Sequence, residues 1–386
     1  RRMGIKLADC YNTHQFRKLA KARLPGPIFH YIDGAADDEV TYRRNTAAYE
    51  SCDLVPNVLT GVDTVDLSTT VMGIPIGMPL FLSPTALQRL FHHEGERAVG
   101  QAAEAFNTLF GISSLATVGI EEIGESITSP KVFQLYYHKD KALTWDMIDR
   151  CKEANFDALA LTVDTIVGGN RERDLWTGFT SPPRLTPASL VSFATHPSWT
   201  LNYLLREPFA LSNLKNHVSE GSNVSISVSD YFSTMLDQTM DWDAAAAVRE
   251  RWGKAFCLKG IMSVEDARKA VAIGADAIMV SNHGGRQLDG SRAPFDQLAE
   301  IIDAVGSDID VICDGGIQRG THVLKALSLG AKACSGGRWY LYALAGAGRK
   351  GVERALTNMH SELTRDMKLM GAQSLADLGR QNLRFR

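Results

Sequence analysis

Ser281-Asn282-His283-Gly284-Gly285-Arg286-Gln287-Leu288-Asp289 follows directly on the apolar run Ala277-Ile278-Met279-Val280. A short unbroken apolar run of this kind reads as a strand buried on both faces, the form that parallel sheets use. The histidine and the arginine therefore stand just past a strand end, on a turn opened by paired glycines. Glycine there lets the backbone turn sharply and come close to a ligand. An imidazole that accepts a proton lies three residues from a permanent positive charge. That pairing suits proton abstraction from an anionic substrate: the guanidinium holds a carboxylate in bidentate fashion and the imidazole acts as base. A polar surface loop is the alternative reading of His283-Gly284-Gly285-Arg286 taken alone.

Working outward, the same form recurs. Apolar runs at 79–83, 108–112, 132–136, 158–164, 256–260, 277–281, 311–316 and 333–338 make eight candidate strands, most separated by amphipathic spacers of helix length. Helix punctuation fits between them. Ser263 precedes Val264-Glu265-Asp266 as a candidate N-cap and Gly274 follows as a stop, while 321–329 ends at Gly330. The polar residues gather at the C-terminal ends of the runs: Gln134, Tyr136, Thr162, Asp164, Lys259, His283, Asp314 and Arg338. A parallel barrel carries its active site on that face. The expected fold class is α/β: a (β/α)8 TIM barrel with an N-terminal helical segment (13–32) and a long insertion after strand 4. The whole of 1–386 is read as a single barrel domain.

Composition narrows the function. A chain of 386 residues with 45% hydrophobic content buries a large core, and a net charge of −3 leaves no basic surplus for phosphate backbones. Nucleic acid is therefore not an expected partner. Cys10, Cys52, Cys151, Cys257, Cys313 and Cys334 are scattered without a Cys-x-x-Cys, so no metal site and no disulfide framework is expected. A reducing cytoplasm fits that usage. No apolar run follows Arg1-Arg2-Met3-Gly4, so no signal peptide is expected, and none elsewhere approaches the ~18 residues that span a bilayer.

The insertion, about 175–241, is far longer than an ordinary strand-to-helix connection. Phe193, Trp199, Leu201, Tyr203, Leu204, Leu205 and Phe209 are interspersed with Arg184, Arg206 and Lys215. It starts near Ser181-Pro182-Pro183 and holds the polar tract 219–223. Two readings stand: a lid over the barrel mouth, or a patch through 177–215 that lies on a membrane surface.

No Gly-x-Gly-x-x-Gly opens a first helix, so a dinucleotide fingerprint has no support. Two glycine-rich ends, Asp314-Gly315-Gly316 and Gly336-Gly337-Arg338, follow the seventh and eighth runs instead. Loops at those two places form the usual phosphate site of a barrel.

The nine residues 281–289 resemble the signature of the FMN-dependent L-2-hydroxy acid oxidising enzymes, which include glycolate oxidases, mandelate dehydrogenases and L-lactate dehydrogenases and oxidases. The likeness runs from about Phe16 to Arg386. It implies FMN as cofactor and oxidation of a 2-hydroxy acid to the 2-keto acid. By the same resemblance His283 is the base, Asp164 its acidic companion, and Arg286 and Arg171 grip the substrate carboxylate. Tyr31, within Tyr31-Ile32-Asp33-Gly34-Ala35-Ala36-Asp37, adds a donor to that carboxylate, and Tyr136 bonds the hydroxyl. Lys259 stands by the flavin N1–C2=O edge, with Ser113, Gln134 and Thr162 toward the pyrimidine side. Pro84, Thr85, Ala86 and Ser281 belong to the cofactor set, and Asp314, Gly315, Gly316, Gly337 and Arg338 to its phosphate end. Where the family has an arginine on the phosphate, this chain has Gln318, with Arg319 one place later; Arg319 reaching in, or weaker FMN retention, is the expectation. Leu115 and Ala86 in the pocket point to a small aliphatic acid such as L-lactate rather than mandelate. The electron acceptor is left open among a quinone, a cytochrome and O2, with a dehydrogenase favoured. The resemblance further implies a homotetramer, cytoplasmic or peripheral on the inner membrane face. No haem domain precedes the barrel, so a self-contained flavocytochrome is not expected. Residue types do not decide between hydride and carbanion routes.

Overall fold

The computed structural model describes residues 5–180, 184–208, 210–214 and 228–386. The sequence features at 181–183, Phe209, Lys215 and 219–223 lie outside the described residues.

Eight parallel strands close on themselves in chain order: β1 (Leu80–Thr85), β2 (Phe110–Ser113), β3 (Lys131–Leu135), β4 (Ala158–Thr162), β5 (Ala255–Lys259), β6 (Ala277–Val280), β7 (Asp310–Asp314) and β8 (Ala333–Gly336). Each expected strand is present, displaced at its ends by a few residues at most. The reason the barrel forms is visible in residue parity. Side chains alternate across a strand. Phe81, Val132, Ala160, Cys257, Met279, Ile312 and Ala333 pack together as one buried cluster, the barrel interior. The other parity (Leu80, Leu82, Phe133, Leu159, Leu258, Ile278, Val311 and Cys334) joins the larger cluster under the helices. Both faces are thus apolar, and the runs read as continuous.

Interior parity also places the polar groups. Two residues beyond Phe81, Val132, Ala160, Cys257, Met279, Ile312 and Ala333 come Ser83, Gln134, Thr162, Lys259, Ser281, Asp314 and Ser335, all buried. The top layer of the barrel is therefore polar and the lower layers are not. The opposite end is stopped by the hairpin of Thr69–Val71 and Ile74–Ile76, whose Met72 N–H donates to Asp310 at 2.7 Å.

The N-terminal segment forms α1 (Thr13–Arg23), α2 (Gly26–Asp33) and α3 (Val40–Ala47). Asn12 caps α1 by accepting from the Gln15 N–H at 3.0 Å. Asp33, 1% exposed, is the anchor of this segment. It takes Arg17 at 2.5 and 2.7 Å, Arg173 at 2.7 Å and the Tyr342 hydroxyl at 2.7 Å. Burial alone would raise its carboxyl; those donors outweigh burial and hold it down at about 2.

The insertion supplies α4 (Pro187–Thr195), α5 (Pro197–Leu205) and α6 (Val228–Thr234). Proline opens α4 and α5, where a missing N–H costs nothing. Ser192 Oγ accepts from the Gly26 N–H at 2.8 Å, and Trp199 Nε1 donates to the Leu90 carbonyl at 2.8 Å. The first bond docks α4 beside α2, and the second docks α5 against the segment that follows β1. The last helix, α7 (Arg338–Met370), starts straight from β8 and kinks at Ala347 and Gly348.

Candidate active site

One cavity opens at the C-terminal end of the strands. It is lined by Tyr31, Pro84, Thr85, Ala86, Ser113, Leu115, Gln134, Tyr136, Thr162, Arg171, Lys259, His283, Arg286, Asp314, Gly315, Gly316, Gly337 and Arg338. Three expected residues are not on its wall. Asp164 lies behind His283. Ser281 lies beneath, with its hydroxyl donating to Asp314 at 2.6 Å. Arg319 turns away and pairs with Glu362 at 2.7 Å, while Gln318 faces the cavity in its place. The expectation that Arg319 reaches in is thereby corrected. Gly320 explains why. A Cβ there would meet Glu362 Cβ at 2.9 Å, so the loop runs hard against α7 and brings Arg319 to that carboxylate.

His283 follows β6 with a positive φ of 59°, uncommon outside glycine. Its N–H donates to Ser281 Oγ at 3.1 Å, and the next turn is closed by Asn282 accepting from the Gly285 N–H at 3.1 Å. Gly285 is required here: its φ is 75°, and a Cβ would lie 2.6 Å from the Tyr42 nitrogen. His283 Nδ1 stands 3.0 Å from Asp164 Oδ1. Thr165 donates to the same carboxylate oxygen at 2.9 Å, and Gln287 Nε2 holds the Asp164 carbonyl at 3.2 Å. Burial first, then Lys259 and Arg286, hold the imidazole below its usual range, against the opposing pull of Asp164. Burial raises the Asp164 carboxyl, but His283, Lys259 and the Thr165 hydroxyl outweigh it and the net direction is down. Both directions give one neutral-pH state: a carboxylate beside an unprotonated imidazole, ready to accept a proton. Asp164 Oδ2 is buried with no hydrogen-bond partner.

Two guanidiniums flank that base. Arg286 Nη1 donates to the carbonyls of Tyr31 and Gly34 at 2.7 and 3.0 Å, which leaves its remaining N–H groups for a ligand. Burial, then the nearby Arg171, pull it down to about 9, still charged at neutral pH. Both cations stand within 6 Å of the Tyr31 ring. Burial pushes the Tyr136 hydroxyl up, so it remains a donor. Below, Lys259 Nζ stands 3.5 Å from Asp314 Oδ2, and Asp314 also takes Ser83 and Ser335 at 2.5 and 2.6 Å. Gln134 links Ser113 (3.1 Å) to Thr162 (2.8 Å) along the opposite wall.

Residues 20–385 match the family described as FMN-dependent dehydrogenase. The chain belongs to that family. It is 38% identical to the L-lactate dehydrogenase of Vibrio cholerae over 95% of this chain and 97% of that one. It is 38% identical to the L-lactate oxidase of a Nostoc species over 95% and 96%. The crystal structure of the monotopic membrane protein (S)-mandelate dehydrogenase superposes with a TM-score of 0.93 at 30% identity, covering 98% of this chain and 100% of that one. The protein is an FMN-dependent enzyme that oxidises 2-hydroxy acids.

Residues of the cavity fit that cofactor. An extended groove runs from Lys259 and Gln134 to the glycine loops after β7 and β8. Gly316, φ 74°, packs so closely that a Cβ would meet the Asn45 carbonyl at 2.1 Å. When bound, FMN supplies a two-electron acceptor. Lys259 would stand at the ring end and the glycine loops at the phosphate end.

Sequence reading missed Tyr42, Asn45, Phe91 and Phe232, which also line the cavity. Asn45 and Asn282 exchange two amide bonds, at 2.8 and 2.7 Å, and so tie α3 to the catalytic turn. A buried asparagine at a core-facing position of α3 was the one available signal. Phe91 and Phe232 give none, since apolar residues read as ordinary core.

Proposed function

We propose that the enzyme oxidises a small L-2-hydroxy acid, L-lactate first, to its 2-keto acid. The observation that carries this reading is that His283, backed by Asp164 at 3.0 Å, faces one cavity with Arg171 and Arg286. Arg171 and Arg286 bind the substrate carboxylate, with the Tyr31 hydroxyl as a further donor. Tyr136 donates to the substrate hydroxyl oxygen. His283 takes a proton from the substrate, and Asp164 stabilises the resulting imidazolium. Lys259 offers positive charge where negative charge gathers as the electrons leave the substrate. Support for a small aliphatic acid comes from Leu115, Phe91 and Phe232, bulky side chains that line the cavity beside the two arginines.

For the acceptor, the reading is a dehydrogenase working at a membrane surface and passing electrons to a quinone or cytochrome. Its support is the row Leu201, Leu204 and Leu205 on α5, with Leu190 and Val191 on α4, all more than half exposed. Exposed apolar rows of this kind mark an interaction surface. No described helix is long and apolar enough to cross a membrane, so contact would be peripheral. The second reading, an oxidase using O2, is favoured by the likeness to the Nostoc L-lactate oxidase. Turnover under air, with and without a quinone analogue, separates the two.

The test of the chemistry is flavin bleaching by L-lactate under nitrogen. The wild-type protein should bleach within its turnover time. His283→Gln should keep its yellow colour and bleach at least ~100-fold more slowly, the range a lost general base costs. Rapid bleaching of the variant would remove His283 from the role.

A further inference from the structure

The two guanidiniums that face the cavity are held in different ways. Arg286 is fixed directly, by the Tyr31 and Gly34 carbonyls at 2.7 and 3.0 Å. Arg171 forms no hydrogen bond or ion pair with any described residue; it meets only the Tyr31 and Phe232 rings, at 5.8 and 5.9 Å. Its place is therefore set by its backbone, at the start of the short helix Glu172–Thr177. Two residues on, Arg173 spans two carboxylates. Its Nη1 donates to Asp33 Oδ2 at 2.7 Å and its Nη2 to Glu39 Oε2 at 2.6 Å. Its stem lies across Gly34, where an added Cβ would come within 3.3 Å of Arg173 Cδ. On the other side of Arg171, the Asn170 carbonyl accepts from the Asp37 N–H at 2.9 Å, and Asn170 Nδ2 donates to Asp37 Oδ1 at 2.8 Å. Residues 33–39 thus grip the chain on both sides of Arg171. They also reach the turn that carries Arg286: the Ala36 N–H donates to the Gly285 carbonyl at 2.9 Å. Of these ties the Arg173 fork is charged on both sides, and such bonds are about twice as strong as neutral ones. It acts against a real force, because Arg171 and Arg286 are like charges that repel across the cavity.

We propose that Arg173 is a positioning residue for the substrate carboxylate: clamped between Asp33 and Glu39, it keeps Arg171 at the cavity opposite Arg286. Arg173 is not on the cavity wall and touches neither the bound acid nor the flavin groove. This rests on the reading of Arg171 and Arg286 as the carboxylate grip and goes beyond it by naming what holds that grip in shape.

The experiment mixes holoenzyme rapidly with L-lactate under nitrogen and reads the apparent Kd and the limiting rate of flavin bleaching. Arg173→Met should fold, because Asp33 keeps both bonds from Arg17 and the one from Tyr342, and Glu39 keeps the Ala35 N–H at 3.0 Å. It should raise Kd about tenfold and leave the limiting rate within about twofold, the pattern of lost ground-state binding. The decisive comparison is made in Arg171→Met protein. There Arg173→Met should change Kd by less than about twofold, since it acts through Arg171. Additive effects of the two changes would mean an independent packing role and overturn the proposal. So would an unchanged Kd in Arg173→Met, or a parallel loss of limiting rate and FMN retention. If Arg173→Met does not fold, Glu39→Gln breaks one arm of the fork; it should raise Kd in the same direction and lose that effect in Arg171→Met protein. An unchanged Kd in Arg171→Met alone would instead sink the carboxylate reading on which the clamp rests.

Discussion

At the scale of single residues, the decisive quantity is the protonation state of one imidazole. His283 is a base only while neutral. Burial, Lys259 and Arg286 hold it below the ordinary histidine value of 6.5. With His283 as the proposed base, activity should be present above the lowered pKa and lost as pH falls through it. The acidic limb of kcat/KM should lie below pH 6.5. Asp164→Asn removes the one neighbour that raises His283, so the limb should move to still lower pH. The neutral-pH rate should drop roughly 100-fold or more, because the imidazolium loses its stabilising charge. A pH profile of both proteins checks this. A wild-type limb above pH 6.5 would contradict the burial argument. A residue with φ of 59° outside glycine costs of order 1 kcal/mol. The closed turn at Asn282 and Gly285 bears that cost and aims the ring at Asp164.

At the scale of elements, the insertion matters more than its length suggests. The start of α6 follows the undescribed stretch, yet its Phe232 ring packs edge-on to Tyr136 at 5.4 Å and stands 5.9 Å from the Arg171 guanidinium. Tyr231 on the same helix bonds His138 across to the β3 loop. The helix thus gives the cavity an aromatic wall beside Tyr136 and Arg171, the end proposed to take the substrate. Phe232→Ala should open that wall. Its kcat/KM for mandelate relative to L-lactate should rise at least ~10-fold, within the range that a pocket's apolar contacts decide. KM for lactate should rise as Arg171 loses a packing face. Assays of the two acids side by side measure both effects; an unchanged ratio would place specificity elsewhere.

At the scale of the whole molecule, the apolar row on α5 sits beside the barrel mouth instead of inside a core. Leu201, Leu204 and Leu205 are 54, 68 and 78% exposed. Their spacing of three and four puts them on one face of the helix. Replacing all three by serine should abolish sedimentation with lipid vesicles and leave lactate-dependent flavin bleaching within about twofold, since none of them lines the active-site cavity. Loss of bleaching would mean that the row holds the barrel mouth in shape. Persistent sedimentation would remove the membrane reading.

How much could be read in advance follows from geometry. Strands buried on both faces leave unbroken apolar runs, so all eight were legible, and the two-residue step from lower layer to top layer carried Gln134, Thr162, Lys259 and Asp314 with them. His283, Arg286 and the glycine loops were placed at the mouth in advance because each lies at the end of an apolar run, and all of them line the cavity. The direction taken by Arg319 was not legible, because it depends on Glu362, 43 positions away in sequence, competing for the same guanidinium. Nor were Phe91 and Phe232: an apolar or aromatic side chain is core by default until the fold shows a cavity on one side of it. The order of strands and the chemistry at their ends are local properties of the chain. Which neighbour each side chain meets across the mouth is a contest among distant groups, and only the closed barrel decides it.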